Sequence, residues 1–260
     1  PNMMRPLQAG FFYPLPNMKI PVKLFTIATL AVVAAFPAEA GQIIFEESFE
    51  SHPLNEALAT GSGVDQWRTD GYSRTQAPGS AKVIQDSRLN DTNVLRTTPS
   101  GDEKGEPATL FNVVREFSPV TGNITFSVDV TPLVGTSQIS LYSAEKGRPT
   151  HHCTVHLRTG RELKALALER DGNDVVPVEI APILPGKKYR VVIHAELHPP
   201  ARWSVKLIDL ETGNELGSVS ELQIKAANPE ISHFLIGTTH AAQSEALWDN
   251  IRLEWVSVSS

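Results

Sequence analysis

The clearest signal along the chain is strict alternation. From Asn123 to Pro132, Ile124, Phe126, Val128 and Val130 alternate with Thr125, Ser127 and Asp129. Successive side chains of a strand point to opposite faces, so this stretch predicts a strand with one face in a core. Similar patterns predict strands over Gln42 to Phe49, Gln138 to Tyr142, Cys153 to Arg158, Leu163 to Glu169 and Lys188 to Glu196. Trp203 to Asp209, His233 to Thr238 and Ala246 to Val256 complete the set. Turn chemistry separates the runs: Thr121-Gly122-Asn123, Thr159-Gly160-Arg161, Asp171-Gly172-Asn173, Pro185-Gly186-Lys187 and Glu211-Thr212-Gly213-Asn214 all suit tight reversals. The intervals fit a sandwich or barrel. Pro53 to Asn93 reads as long loops with brief strands, Pro99 to Pro107 as a polar loop, and Ser220 to Ala227 as a short helical or strand segment. No three-turn amphipathic helix stands out. The expected fold is all-β, a two-sheet antiparallel sandwich, in one domain over residues 41–260.

The N-terminal part breaks this pattern. Lys19 and Lys23 precede an apolar run from Leu24 to Phe36, followed by the small-x-small site Ala38-Glu39-Ala40. That order is the signature of a secretory signal peptide, expected over residues 18–40 with Gly41 as mature start. The run is short for a bilayer span. Met18 is the expected natural start, with residues 1–17 upstream of it. Cys153 is the sole cysteine, so no internal disulfide can form and no lipoprotein anchor follows the cleavage site. A secreted or periplasmic protein is expected, with no membrane anchor after cleavage.

Charge narrows the partners. The net charge is -6 and like charges do not cluster, which argues against a nucleic-acid or anionic-membrane partner.

Two stretches carry a family resemblance. Ile44-Phe45-Glu46-Glu47-Ser48-Phe49-Glu50 near one end and Ala246-Leu247-Trp248-Asp249-Asn250-Ile251-Arg252-Leu253 near the other resemble bacterial exported domains of the concanavalin A-like lectin/glucanase superfamily, the LamG-like jelly rolls. The resemblance implies adjacent first and last strands, and sugar bound on a concave sheet or at loop edges. It spans lectins, carbohydrate-binding modules, glycosidases and polysaccharide lyases, so it does not choose an activity. The Glu-x-Asp-x-x-Glu strand of its retaining glucanases does not occur. Gln223-Ile224-Lys225 lacks the His of the alginate-lyase strand. The resulting expectation is a polysaccharide- or glycan-binding, or envelope-associated, module without an evident catalytic signature. Two alternatives stand beside it: a glycoside hydrolase or polysaccharide lyase with an atypical site, and a structural or adhesion protein.

Individual residues offer candidates. Trp67, Tyr72 and Arg74 suit a sugar-stacking edge, or Trp67 a cover at one end of the sandwich. Trp248 points away from Leu247 and Ile251, which offers it to a ligand-facing sheet surface or to cover by a loop. His152 and His156 share a strand face about 13 Å apart, too far for one metal and suited to substrate contact. Only a bulge or a turn at His151 would bring two metal ligands together. His194 and Glu196 suit an acid/base pair or a surface hydrogen bond. Asp249 alternates with Leu247, Ile251 and Leu253 on an apolar face, where a carboxylate needs a partner. Similar jelly rolls hold a structural calcium near their joined termini, which makes Glu47, Glu50 and Asp249 a possible Ca2+ set. Pairing of Asp249 with Arg252 or Arg115 is the alternative.

Overall fold

A computed structural model describes residues 41–58, 60, 64–70, 79–87, 92–99, 111–145, 148–171, 174–226, 229–239 and 244–256. The signal-peptide expectation over residues 18–40, and Tyr72 and Arg74, lie outside these.

The described residues form strands in this order: β1 (Gln42–Glu47), β2 (Trp67–Asp70), β3 (Gly79–Asp86), β4 (Thr92–Pro99) and β5 (Phe111–Val120). Then come β6 (Asn123–Val134), β7 (Thr136–Glu145), β8 (Arg148–Arg158), β9 (Lys164–Asp171) and β10 (Asp174–Pro182). The chain closes with β11 (Tyr189–Glu196), β12 (Arg202–Asp209), β13 (Glu215–Gln223), β14 (Ile231–Thr239) and β15 (Glu245–Val256). They build two antiparallel sheets. One runs β13-β12-β11-β6-β15-β4-β3, with β1 also on β15; the other runs β10-β9-β8-β7-β14-β5-β2. β1 pairs with β15, so the first and last strands are neighbours, as the resemblance implied. The expected two-sheet sandwich is the fold.

Alternation builds the core between the sheets. Ile124, Phe126, Val128 and Val130 of β6, Val191 and Ile193 of β11, and Val205 and Leu207 of β12 are fully buried from one side. Ile139 and Leu141 of β7, Cys153, Val155 and Leu157 of β8, and Phe234 and Ile236 of β14 meet them from the other. Cys153 is part of this apolar layer, and burial raises its thiol pKa well above the ordinary value.

β15 departs from the expected parity. Ala246 and Trp248 point into the core together with Ile251 and Leu253. That requires one extra residue between them. The pairing of β15 with β6 shifts register between Asp249 and Arg252, and Asn250 sits at φ 46, in the left-handed region. A bulge of this kind changes which face every later residue takes. Trp248 therefore lies in the core rather than on a ligand-facing surface. It is fully buried, and its indole N–H donates to Thr97 Oγ1 at 2.8 Å.

Candidate functional site

Strand pairing writes the outer face of the second sheet as rows across adjacent strands. One row reads Glu116 on β5, His233 on β14, Tyr142 on β7 and His151 on β8, each the Cα partner of the next. The next row reads Arg68 on β2, Val114, Leu235, Ser140 and Thr154. A third carries Asn112, Gly237, Gln138 and His156. Inward neighbours such as Val113, Phe234, Leu141 and Cys153 belong to the main core. Alternation thus turns this polar set outward.

A bulge aims His151. The β7–β8 pairing shifts between Leu141 and Tyr142, so Leu141 faces Cys153 while Tyr142 faces His151. The extra residue is His152, which bonds Ser143 Oγ at 3.0 Å and is buried. His151 joins the outer face, its Nδ1 bonded to Ser140 Oγ at 2.7 Å. Ser140 Oγ also bonds Thr154 Oγ1 at 2.9 Å.

Tyr142 is the centre of the arrangement. Its ring stacks on His233 at 4.8 Å and 23°, and lies 5.2 Å from the His151 ring on its other side. His233 is held at both nitrogens. Nδ1 bonds Ser232 Oγ at 2.8 Å, and Nε2 lies 3.5 Å from Glu116 Oε2. Arg68 Nη1 donates to the same carboxylate oxygen at 3.5 Å. Burial lowers the His233 pKa from 6.5, the Glu116 charge opposes that shift, and the Arg68 charge adds to it. The imidazole is therefore neutral near pH 7. Tyr142 and His233 are each 4% exposed, while the Arg68 and Glu116 side chains are 36% and 31% exposed. Tyrosine and histidine are thus buried within this face, and the charged pair is its more exposed part.

Other sequence candidates lie elsewhere. Trp67 is 4% exposed; its ring packs edge-on against Phe45 and Phe234, both at 5.7 Å, with the Arg115 guanidinium 5.5 Å away. It covers one side of the core, so its ring is not a stacking edge. His156 is on the outer face and partly buried, one row from Ser140 and two from Tyr142. His194 bonds Thr125 Oγ1 at 3.2 Å, and Glu196 accepts from Arg202 at 2.8 Å, so the two do not pair.

The calcium candidates have protein partners. Glu47 accepts from the Phe49 amide at 2.8 Å and lies 3.1 Å from His52 Nε2. Glu50 accepts from the Asn93 amide at 3.1 Å. Asp249 meets Lys188 Nζ at 3.4 Å rather than an arginine, while Arg190 grips neighbouring Asp129 through two bonds of 2.7 and 3.1 Å. Asn250 Nδ2 donates to both carboxylates. Burial raises the Asp249 pKa, opposed by Lys188. Among the described residues, no cluster of three or more His, Cys, Asp or Glu suits a metal ion.

No protein-family model matches the chain. No curated protein matches it in sequence. Solved structures do match in shape. The endo-β-1,4-glucuronan lyase of the fungus Trichoderma reesei aligns with a TM-score of 0.53 at 8% identity, covering 82% of this chain and 96% of that one. The globular domain of T. cruzi calreticulin gives 0.52 at 12%, over 84% and 89%. The alginate lyase Aly36B gives 0.51 at 11%, over 83% and 98%. At these identities the likeness concerns fold alone. The chain is an all-β, two-sheet antiparallel sandwich, a fold it shares in shape with these two lyases and with the calreticulin domain.

Proposed function

We propose that the outer face of the second sheet binds an acidic polysaccharide and cleaves it by β-elimination. One observation carries this reading: the run Arg68–Glu116–His233–Tyr142–His151 across five adjacent strands. Elimination at a uronate needs three things. A base takes the proton at C5, a cation or hydrogen-bond donor neutralises the C6 carboxylate, and an acid protonates the leaving oxygen at C4. The C5–H and C4–O bonds break as a C4=C5 double bond forms, with no added reactant. His151 is the base in this reading, its Nδ1 fixed by Ser140. The Tyr142 hydroxyl is the acid, and Arg68 attracts the carboxylate. His233 positions the Tyr142 ring. Histidine and tyrosine are suited to such proton transfers when held in place. The glucuronan and alginate lyases among the structural neighbours act on uronate polymers and share the scaffold, which supports the choice of substrate class.

A hydrolytic reading draws less support from the most buried carboxylates. Asp129, Asp209 and Asp249 lie on the other sheet, tied to Arg190, Lys187 and Lys188.

The test is incubation with glucuronan, alginate and a neutral β-glucan, followed by ultraviolet absorbance of unsaturated uronate ends. Product is expected from a uronate polymer and none from the glucan. Tyr142→Phe and His151→Ala should each lower turnover by about 10²-fold or more with folding intact. Retention of uronate polymer without product would leave binding and remove the chemistry. Neither retention nor product would sink both.

A further inference from the structure

The chain holds four tryptophans. Trp67, Trp203 and Trp248 are buried, at 4%, 2% and 0% exposure, whereas Trp255 is 39% exposed. Its indole is nonetheless fixed, because Nε1–H donates to the Thr121 carbonyl at 3.1 Å. The ring edge lies over Gly122, which has φ +88. A Cβ there would meet Trp255 Nε1 at 3.0 Å and His198 Nε2 at 3.7 Å. Trp255 and His198 therefore stand side by side at one end of the first sheet. The Leu197 amide donates to the Gly122 carbonyl at 2.9 Å and ties the two turns together.

Directly after His198 in the chain, Pro199 begins the lining of a depression of about 550 Å³. That volume lies in the range of small-ligand sites. Pro199, Pro200 and Ala201 form one wall; Gln223, Ile224 and Ala226 form the other. The Ile224 amide bonds the Ala201 carbonyl at 2.9 Å and joins the walls. Arg202 and Glu221 stand at the rim. Arg202 donates to Glu196 at 2.8 Å and to Glu221 at 2.6 Å, so both carboxylates are oriented before any ligand arrives. Glu221 sits at φ 61, an unfavourable backbone position for a residue with a side chain. Its side chain is 71% exposed.

These features match one ligand shape. A pyranose ring has an apolar C–H face and an edge of vicinal hydroxyls. A fixed, open indole suits the face. An oriented carboxylate and the Gln223 amide suit the hydroxyls. We propose that the Trp255–His198 platform and the adjoining depression form a second carbohydrate site, which holds pyranose units of a glycan chain without cleaving them. It lies on a different sheet from the Tyr142 site and stands independently of the elimination reading.

Trp255 is the one tryptophan with an exposed ring, which gives a direct readout. Indole N–H resonances are followed by NMR while the full chain is titrated with cellohexaose and, separately, with an alginate oligosaccharide. The expected result is a saturable shift of the Trp255 resonance alone among the four. Response to the first probe identifies a neutral chain, and response to the second an acidic one. Trp255→Leu and Glu221→Gln should each weaken binding about tenfold, as loss of a central contact does. No shift with either probe overturns the proposal, as does unchanged affinity in both variants. Unsaturated product plays no part in this measurement, so its failure and that of the elimination reading are separable.

Discussion

Tyr142 owes its setting to two imidazoles with different surroundings. His151 is partly open and bonded to a hydroxyl, while His233 is buried and faces a carboxylate. The groups facing His233 come from every neighbouring element: Glu116 on β5, Arg68 on β2 and Tyr142 on β7. Desolvation dominates over Glu116, so the folded ring titrates below 6.5. Below that pH the unfolded chain binds more protons at this position than the folded one. Stability must then fall as pH drops through 6.5 toward the folded value, and is unaffected by this group above it. His233→Gln keeps a polar side chain and removes the proton site. The expected outcome, measured as thermal unfolding midpoints from about pH 7.5 to about pH 5.5, is a shallower loss in the variant than in the parent. Parallel curves would show that another group carries the acid sensitivity.

At the scale of single strands, bulges do what alternation cannot foretell. In β15 the extra residue is accommodated around Asn250, whose amide bonds Asp129 at 2.9 Å and Asp249 at 3.1 Å. Asn250→Ala would remove both bonds and force a Cβ-bearing, non-bonding residue to keep φ 46. Asn250→Gly would remove the bonds but relieve the backbone. Alanine should therefore cost more stability than glycine, by about 1 kcal/mol, as read by denaturant unfolding. The same bulge explains what the sequence showed and what it hid. β6, β11 and β12 were legible because each has one core face and one polar face. β15 was legible as a strand, but its faces were assigned in reverse before Asp249, which sent Trp248 outward. β5 was not anticipated, because Val113 and Val114 are both buried, one in the main core and one in a small cluster with Tyr142 and Leu235 on the outer face. That double burial erases the period of two. β10 was hidden by Pro177 and by the exposure of Val175 and Val176. The site was hidden more deeply. Tyr142 and His233 each fell at the end of an anticipated strand, yet only the insertion of β14 between β5 and β7 makes them neighbours. His151 reaches them through the β8 bulge at His152, which strict alternation along the strand does not give.

For the molecule as a whole, the proposed chemistry sits away from the edges that close the sandwich. Arg68, Glu116, His233, Tyr142 and His151 lie on β2, β5, β14, β7 and β8, running in from the β2 edge of the second sheet, whereas β10 and β13 are the edges at the opposite end of their sheets. These two edges approach each other closely at Gly217. A Cβ there would run into the Ile180 carbonyl oxygen, with Ile180 C at 3.1 Å and Ala181 Cβ at 3.2 Å. The obstacle is mostly backbone, so it cannot swing aside like a side chain. Ile180 and Ala181 are buried at this approach. Gly217→Val should pry the edges apart at a cost of about 1–3 kcal/mol, the usual range for overpacking. For a domain of this size that lowers the melting temperature by about 2–4 °C per kcal/mol. Far-ultraviolet circular dichroism at low temperature should be unchanged. So should the rate of any uronate elimination measured well below the melting point, because none of the strands that carry the Tyr142 row pairs with β10 or β13. A drop in that rate without further loss of stability would mean that strain passes from the sandwich edge through β9 and β8 to His151. The proposed site would then depend on the whole second sheet rather than on the five strands from β2 to β8.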